Sequence, residues 1–236
     1  MEYFSYLYPI KIMMEALLRS LRVLAISDTH APWVNDKLIE KIYKVIENQP
    51  FDVIIQLGDL YDMYSHSKFA RSHDICTPKE EIEEGYLWAQ NFWKNINKIN
   101  SKARKIQLKG NHDDRLSRAE HSLYQFRNVE TVNDSRDGIE IEDVVYLHGY
   151  LSKLGDHTKH LLKNVVHAHT HKGGSIFYKL GGKILWELDC GFSADQNKVP
   201  LQYGPTKTTL WTPGYGIIDC NGPRFIPFEN SRVLLK

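Results

Sequence analysis

The chain has 236 residues, with 30 Lys+Arg against 29 Asp+Glu and a net charge of +1, a balance that argues against non-specific binding to a polyanion. Its 42% hydrophobic and 25% charged residues are those of a globular chain able to bury a core, and exclude disordered, collagen-like and coiled-coil classes. Cys76, Cys190 and Cys220 form no C-x-x-C pair, so a disulfide framework is not expected and a reducing, cytoplasmic compartment is.

Residues 1–20 are apolar but interrupted by Glu2, Lys11, Glu15 and Arg19, short of the roughly 18 apolar residues of a membrane span. They read as a leader of unknown role ahead of a single domain over 21–236. From Leu21 the pattern is β-α-β. The β-branched run 22–27 suits a strand covered on both faces and ends at Asp28. Residues 36–48 carry Leu38, Ile39, Ile42, Val45 and Ile46 at helical spacing, with Asn35 or Asp36 as the cap. A second strand over 52–57 stops at Gly58-Asp59, and a long helix from about Lys79 to Asn100 has the stripe Ile82, Tyr86, Ala89, Trp93, Ile96. A third strand, 105–108, stops at Gly110-Asn111-His112-Asp113.

The second half is strand-rich. One partly alternating strand is expected over 139–147, a short one at Val165-Val166, and two, 175–180 and 183–189, around Gly181-Gly182, a hairpin signal. Further strands fall at 215–219 and 224–228. The fold class that fits is α/β, a two-sheet sandwich flanked by helices.

The polar residues fall at strand ends, where α/β proteins build their sites. Asp28-Thr-His30, Gly58-Asp59-Leu-Tyr-Asp62, Gly110-Asn111-His112-Asp113, Leu147-His148-Gly149 and His167-Ala-His169-Thr-His171 follow five successive strands. Carboxylate, amide and imidazole without thiolate suit manganese, iron, zinc or nickel. Seven candidate ligands exceed what one ion needs, and two ions about 3.5–4 Å apart sharing a carboxylate would use them. His167 has the opposite strand parity to His169 and His171 and reads as structural.

These residues resemble the calcineurin-like metallophosphoesterases, whose pattern is D-x-H, G-D-x-x-D, G-N-H-[DE], a lone His after a strand, and G-H-x-H. Asp28-Thr-His30, Gly58-Asp-Leu-Tyr-Asp62, Gly110-Asn-His-Asp113, His148-Gly149 and Ala168-His-Thr-His171 match in that order, with Ala168 in place of the glycine. The resemblance spans about Leu21 to His171. It implies one divalent ion held by Asp28, His30, Asp59 and His171 and a second by Asp59, Asn111, His148 and His169, with Asp59 bridging. It implies attack on phosphorus by a water activated between them, without a covalent enzyme intermediate. Manganese ranks first, ahead of iron, zinc or nickel. His112 then stabilises the transition state or protonates the leaving oxygen, Asp62 orients His112, and Asp113 is a weaker candidate for that orienting role.

Arg115 and Asn111 are candidates to touch a substrate phosphate, and Arg115 and Arg118 could equally form surface salt bridges. The loop 61–78, with Tyr64, Lys68, Phe69 and Arg71, could stack a base or be a solvated lid. Its His66, His73 and Cys76 lack a fourth ligand for another metal. His157 and His160, before or within a short helix, read as solvated or as support for the ligands, and His121 receives no role. Trp211, Tyr203 and Tyr215 could wall the cleft or simply pack. The protein Ser/Thr phosphatase branch has an Arg after the second motif where this chain has Met63-Tyr64. A phosphodiesterase acting on a nucleotide or short nucleic acid is therefore ranked above a phosphomonoesterase, and both above a non-catalytic scaffold. No membrane partner is expected, and oligomeric state is open.

Overall fold

In the computed structural model, which describes residues 20–67, 75–115, 125–133, 136–198, 200 and 210–228, the apolar run Val23–Ile26 is buried along its whole length as β1. Alternate residues of β1 serve different cores. Leu24 and Ile26 meet helices, whereas Val23 and Ala25 meet another sheet. Helix α1, Asp36–Asn48, begins where the Asn35 side chain accepts the Leu38 N–H, and it buries Leu38, Ile39, Ile42 and Ile46. Strand β2 is Val53–Gln56. Helix α2, Pro78–Ile99, starts with a capping box in which the Thr77 hydroxyl accepts from the Glu80 N–H and the Glu80 carboxylate accepts from the Thr77 N–H. Its buried face includes Ala89, Phe92, Trp93 and Ile96. Strand β3 is Arg104–Leu108.

The first sheet has the order β11 (Gly222–Pro227), β10 (Gly214–Asp219), β1, β2, β3, β4 (Glu130–Val132), with β1 to β4 parallel. Its edge strand β4, Glu130–Val132, has no counterpart among the expected strands because three partly exposed residues show no hydropathy period. The segment read as one strand over 139–147 is instead two, β5 (Ile139–Ile141) and β6 (Val144–Tyr146), paired antiparallel. The chain reverses at Glu142 and Asp143, both left-handed with φ 46° and 62°.

Strand β7, Asn164–His167, runs parallel to β6. The hairpin of β8 (Gly174–Leu180) and β9 (Lys183–Asp189) turns at Gly181-Gly182, and β9 completes the second sheet, order β5-β6-β7-β9-β8. Strands β10 (Gly214–Asp219) and β11 (Gly222–Pro227) return to the first sheet, antiparallel to β1 and to each other.

Two apolar layers hold this arrangement. One joins α1 and α2 to the outer face of the first sheet. The other lies between the sheets, where Val23, Ile55, Ile106 and Leu108 meet Tyr146, Val166 and Leu188. The short helix α3, Asp156–Leu161, follows a glycine cap and packs Leu161 against Val145, Leu147 and Val165. Among the described residues no helix is long and apolar enough to cross a membrane. Residues 1–19 of the leader read over 1–20, and Lys68, Phe69, Arg71, His73, Arg118, His121 and Tyr203, lie outside the described residues.

Candidate metal centre

The parallel strands of both sheets end at one rim, and the motif residues sit in the turns there. The first sheet contributes Asp28 and His30 after β1, Asp59 and Asp62 after β2, and Asn111 and His112 after β3. The second contributes His148 after β6 and His169 and His171 after β7. Asp28, His30, Asp59, Asp62 and His148 are all at most 1% exposed, so polar side chains enter the interior only where others answer them.

Tight turning is forced on this rim. Asp28, His30, Asp59, His169 and His171 all have φ between 46° and 70°, a left-handed backbone that costs a residue with a side chain roughly 1–2 kcal/mol. Cross-strand bonds hold it, from Asp28 N–H to Gly58 C=O (3.2 Å), His30 N–H to Asp59 C=O (3.0 Å) and Ala168 N–H to His148 C=O (2.9 Å). Gly58 (φ 100°) and Gly110 let two turns touch. A Cβ on Gly110 would fall 2.1 Å from Asp59 Oδ1 and 2.2 Å from Asp59 N. Gly110→Ala is therefore expected to cost about 1–3 kcal/mol by overpacking and to weaken metal binding, measured by thermal melting and by metal titration. Unchanged affinity would show that Asp59 need not sit where it does.

The proton positions follow from the fixed acceptors. His30 donates from Nδ1 to Asp62 Oδ1 at 2.8 Å, and His148 donates from Nδ1 to Leu57 C=O at 3.0 Å. Each ring thus turns its Nε2 inward, open to a proton or a metal ion. His30 Nε2 lies 3.4 Å from His171 Nε2 and 3.9 Å from Asp28 Oδ1. His148 Nε2 lies 3.3 Å from Asp59 Oδ2 and 3.0 Å from Asn111 Oδ1. Lone pairs facing lone pairs and carboxylates in a buried site call for a cation between them.

Two such pockets result, Asp28–His30–His171 and Asp59–His148–His169, and Asp59 also lies within reach of His30 and His112. Burial opposes the charged ring of His148, yet Asp59, with Asp28 and Asp113 behind it, raises its pKa to about 9. Without a metal, a proton supplies the positive charge that the geometry demands. Burial likewise opposes the Asp59 carboxylate, but His148 and His112 hold it well below the usual range, and His171 lowers the pKa of Asp28 against the same burial. The donor set and its tautomers fit two divalent ions.

His112 stands beside these pockets. Its Nδ1 donates to the Asp62 main-chain carbonyl at 2.8 Å and lies 3.0 Å from Asp62 Oδ1, which also receives His30. Its Nε2 lies 4.0 Å from Asp59 Oδ2. Burial disfavours the His112 imidazolium, but Asp59 and Asp62 outweigh it and raise the pKa. Arg115 reaches the same ring, with Nη2 at 3.2 Å from His112 Nε2 and Nη1 donating to Asp62 C=O at 2.9 Å.

For three residues the structure corrects or narrows the sequence expectation. Asp113 does not face His112. It accepts the Gly110, Leu60 and Tyr61 N–H groups at 2.8, 3.3 and 3.0 Å, binding the second turn to the third, and burial together with Asp59 pushes its pKa up to about 7. His157, expected solvated or in support of the ligands, is fully buried among polar partners. Tyr215 joins the helix-side core and does not wall a cleft, whereas Trp211 packs edge-on to His171 with ring centroids 4.4 Å apart. Sequence reasoning also missed Glu81, a buried carboxylate on α2 that accepts the Tyr64 and Ser65 N–H groups at 2.6 and 2.8 Å and fixes the turn after Asp62. Its i, i+3 spacing from Pro78 reads as an ordinary first-turn glutamate.

The fold is similar to that of vacuolar protein sorting 29 from Chaetomium thermophilum, at 13% identity over 89% of this chain and 93% of that one, with a TM-score of 0.50. It is also similar to vacuolar protein sorting 29 from Cryptosporidium parvum (13% identity, 91% and 94% covered, TM-score 0.48) and to the nuclease MPE of Pseudomonas putida (12% identity, 87% and 87% covered, TM-score 0.42). Comparison with curated proteins finds no match. The model of one family, described as calcineurin-like phosphoesterase, matches residues 21–222, which takes in every turn of the rim just described, and the chain belongs to that family.

Proposed function

We propose that this protein is a dinuclear-metal phosphoesterase that hydrolyses a phosphodiester of a nucleotide or short nucleic acid. The observation that carries the reading is the pair of inward-facing imidazole and carboxylate pockets meeting at Asp59, with His112 and Arg115 beside them. Asp28, His30, Asp59 and His171 would hold one ion, and Asp59, Asn111, His148 and His169 the other, manganese being the first candidate. Such ions supply the positive charge that draws in phosphoryl oxygens and acidifies a water.

The chain's own groups do the rest. His112 Nε2 faces the pocket edge and accepts from Arg115 in the free protein; with Arg115 drawn onto the phosphate, that atom takes up a proton and gives it to the leaving oxygen. Asp62 accepts from the opposite nitrogen and keeps the ring in that orientation. Arg115 offers a guanidinium that can pair with a phosphate in two-point fashion. The absence of an Arg at Met63-Tyr64 supports a diester over a phosphoprotein substrate, and a net charge of +1 suits a short substrate with few phosphate contacts.

The test is hydrolysis by metal-stripped protein, with and without added manganese, of bis-p-nitrophenyl phosphate and p-nitrophenyl phosphate in parallel. Metal-dependent cleavage with the diester faster is expected. Preference for the monoester would overturn the substrate assignment, and silence on both with two ions bound would make the fold a non-catalytic module.

A further inference from the structure

Behind the second pocket, on the other side of β7, lies a cluster that the chemistry above does not use. His157 on α3, His167 at the end of β7 and Glu187 on β9 are all 0% exposed, with ligand-type atoms within 4.8 Å of one another. Two imidazoles and a carboxylate have the composition of a metal site, but the protons argue otherwise. His157 Nε2 accepts the Tyr150 and Leu151 N–H groups, each at 3.2 Å, so its own hydrogen is on Nδ1, facing Glu187 Oε1 at 3.3 Å. A cation at Nδ1 would have to displace the ring's one hydrogen while two donors still point at the other nitrogen.

The same bonds describe a different device. Glu187 Oε1 accepts from Gly155 N–H (2.8 Å) and Oε2 from Thr158 N–H (2.7 Å), while His167 Nε2 lies 3.0 Å from Oε1 as a charge contact. His167 in turn donates from Nδ1 to Ala168 C=O at 2.9 Å. Burial opposes the Glu187 carboxylate, but the His157 bond and the neighbouring His167 ring hold it ionised, well below the usual range.

The two imidazoles therefore reach two particular stretches of backbone. His157 grips the N–H groups two and three residues after His148, and His167 grips the carbonyl immediately before His169. Both ligands belong to the pocket of Asp59, and His169 sits in a left-handed turn at φ 70° that needs holding. The other pocket draws Asp28 and His30 from the first sheet. Its His171 is held separately, by a Thr212 N–H to His171 C=O bond of 2.8 Å and by Trp211.

We propose that Glu187 is a positioning residue for the metal pocket of Asp59, His148 and His169, acting through His157 and His167 on the backbone that carries the two histidine ligands. This rests on the reading of the rim as a metal centre. Support of this kind is worth about 10–100-fold in metal affinity.

The experiment is calorimetric titration of the metal-stripped full chain with manganese, for the wild type and for Glu187→Gln. Two ions are expected in the wild type, and Glu187→Gln should weaken one of them by about 10–100-fold while the other keeps its affinity. In a His171→Ala background, which disables the other pocket, the remaining ion should show the same loss. Val165→Ala, a truncation in the same strand, should lower the melting temperature without separating the two affinities, which distinguishes positioning from general destabilisation. If Glu187→Gln does not fold, His157→Phe keeps a ring but removes the acceptor from Tyr150 and Leu151, and it should weaken the same ion. Equal loss at both ions, or no loss at either, overturns the proposal. A wild type that binds no ion overturns the metal-centre reading itself, and the proposal with it.

Discussion

Asp59→Ala is expected to abolish diester hydrolysis and to leave the protein unable to retain two ions through dialysis. Asp59 is 1% exposed and stands between the pockets, with Oδ2 3.3 Å from His148 Nε2 and Oδ1 accepting the His112 N–H at 2.7 Å. Truncation removes the proposed shared ligand, strands a buried His148 ring and frees the backbone of the third turn. Losing one partner of a buried charge pair costs about 3–5 kcal/mol, and the loss of metal affinity should exceed the roughly 10–100-fold that follows when only a ligand's hydrogen-bonded support is removed. Metal content and turnover should be measured on the same preparation. Two retained ions with normal turnover would remove Asp59 from the centre. Asp59→Asn keeps the shape and the acceptor for His112 but loses the charge, so it should retain the fold while still failing to hold both ions.

His112→Ala should do nearly the opposite. Two ions should stay bound, KM should change little, and kcat should fall about 10²–10⁴-fold, the usual worth of a general acid or base. The side chain's bonds run to Asp62 and Arg115 and not to the inward lone pairs of His30 or His148, so removing it leaves both pockets assembled. His30 keeps its own bond to Asp62 Oδ1. Because His112 also lies within ligand distance of His30 and Asp59, metal analysis decides its role, and loss of an ion would make it a ligand.

Much of this was legible in the residues. Continuous apolar runs ending in Asp28, Gly58-Asp59 and Gly110-Asn111 specify parallel strands with polar turns at one end, because nothing else buries both faces of a run and then stops on charges. The helix stripes and the Gly181-Gly182 turn carry their periods within single stretches of 15 residues or fewer. The arrangement of the interior polar groups did not show. Asp113 adjoins His112 in sequence, yet in a tight turn neighbouring side chains diverge, and its carboxylate goes back to Gly110, Leu60 and Tyr61. His157 sits in a run of polar residues that looks solvated. What buries it is Glu187, 30 residues away on strand β9, and no local period reports such a pairing. Glu142-Asp143 could have been seen as a turn, but flanking valines and isoleucines masked it.

The sources of the proposed ligands have one more consequence. Each pocket takes its carboxylate from the first sheet and at least one imidazole from the second: Asp28 with His171, Asp59 with His148 and His169. Between the sheets the contact is mainly apolar, with hydrogen bonds such as His148 to Leu57 C=O and His169 N–H to Asp28 Oδ2 near the rim, and Cys76, Cys190 and Cys220 are free thiols. Ions seated at the rim would act as rivets through both layers, doing for this sandwich what a crosslink does elsewhere, since a species that binds the folded chain alone stabilises it in proportion to the logarithm of its excess over Kd. The cohesion of the two layers would then track the metal supply of the surroundings, and starvation would be felt as a parting of the sheets at the rim before any loss in the helices.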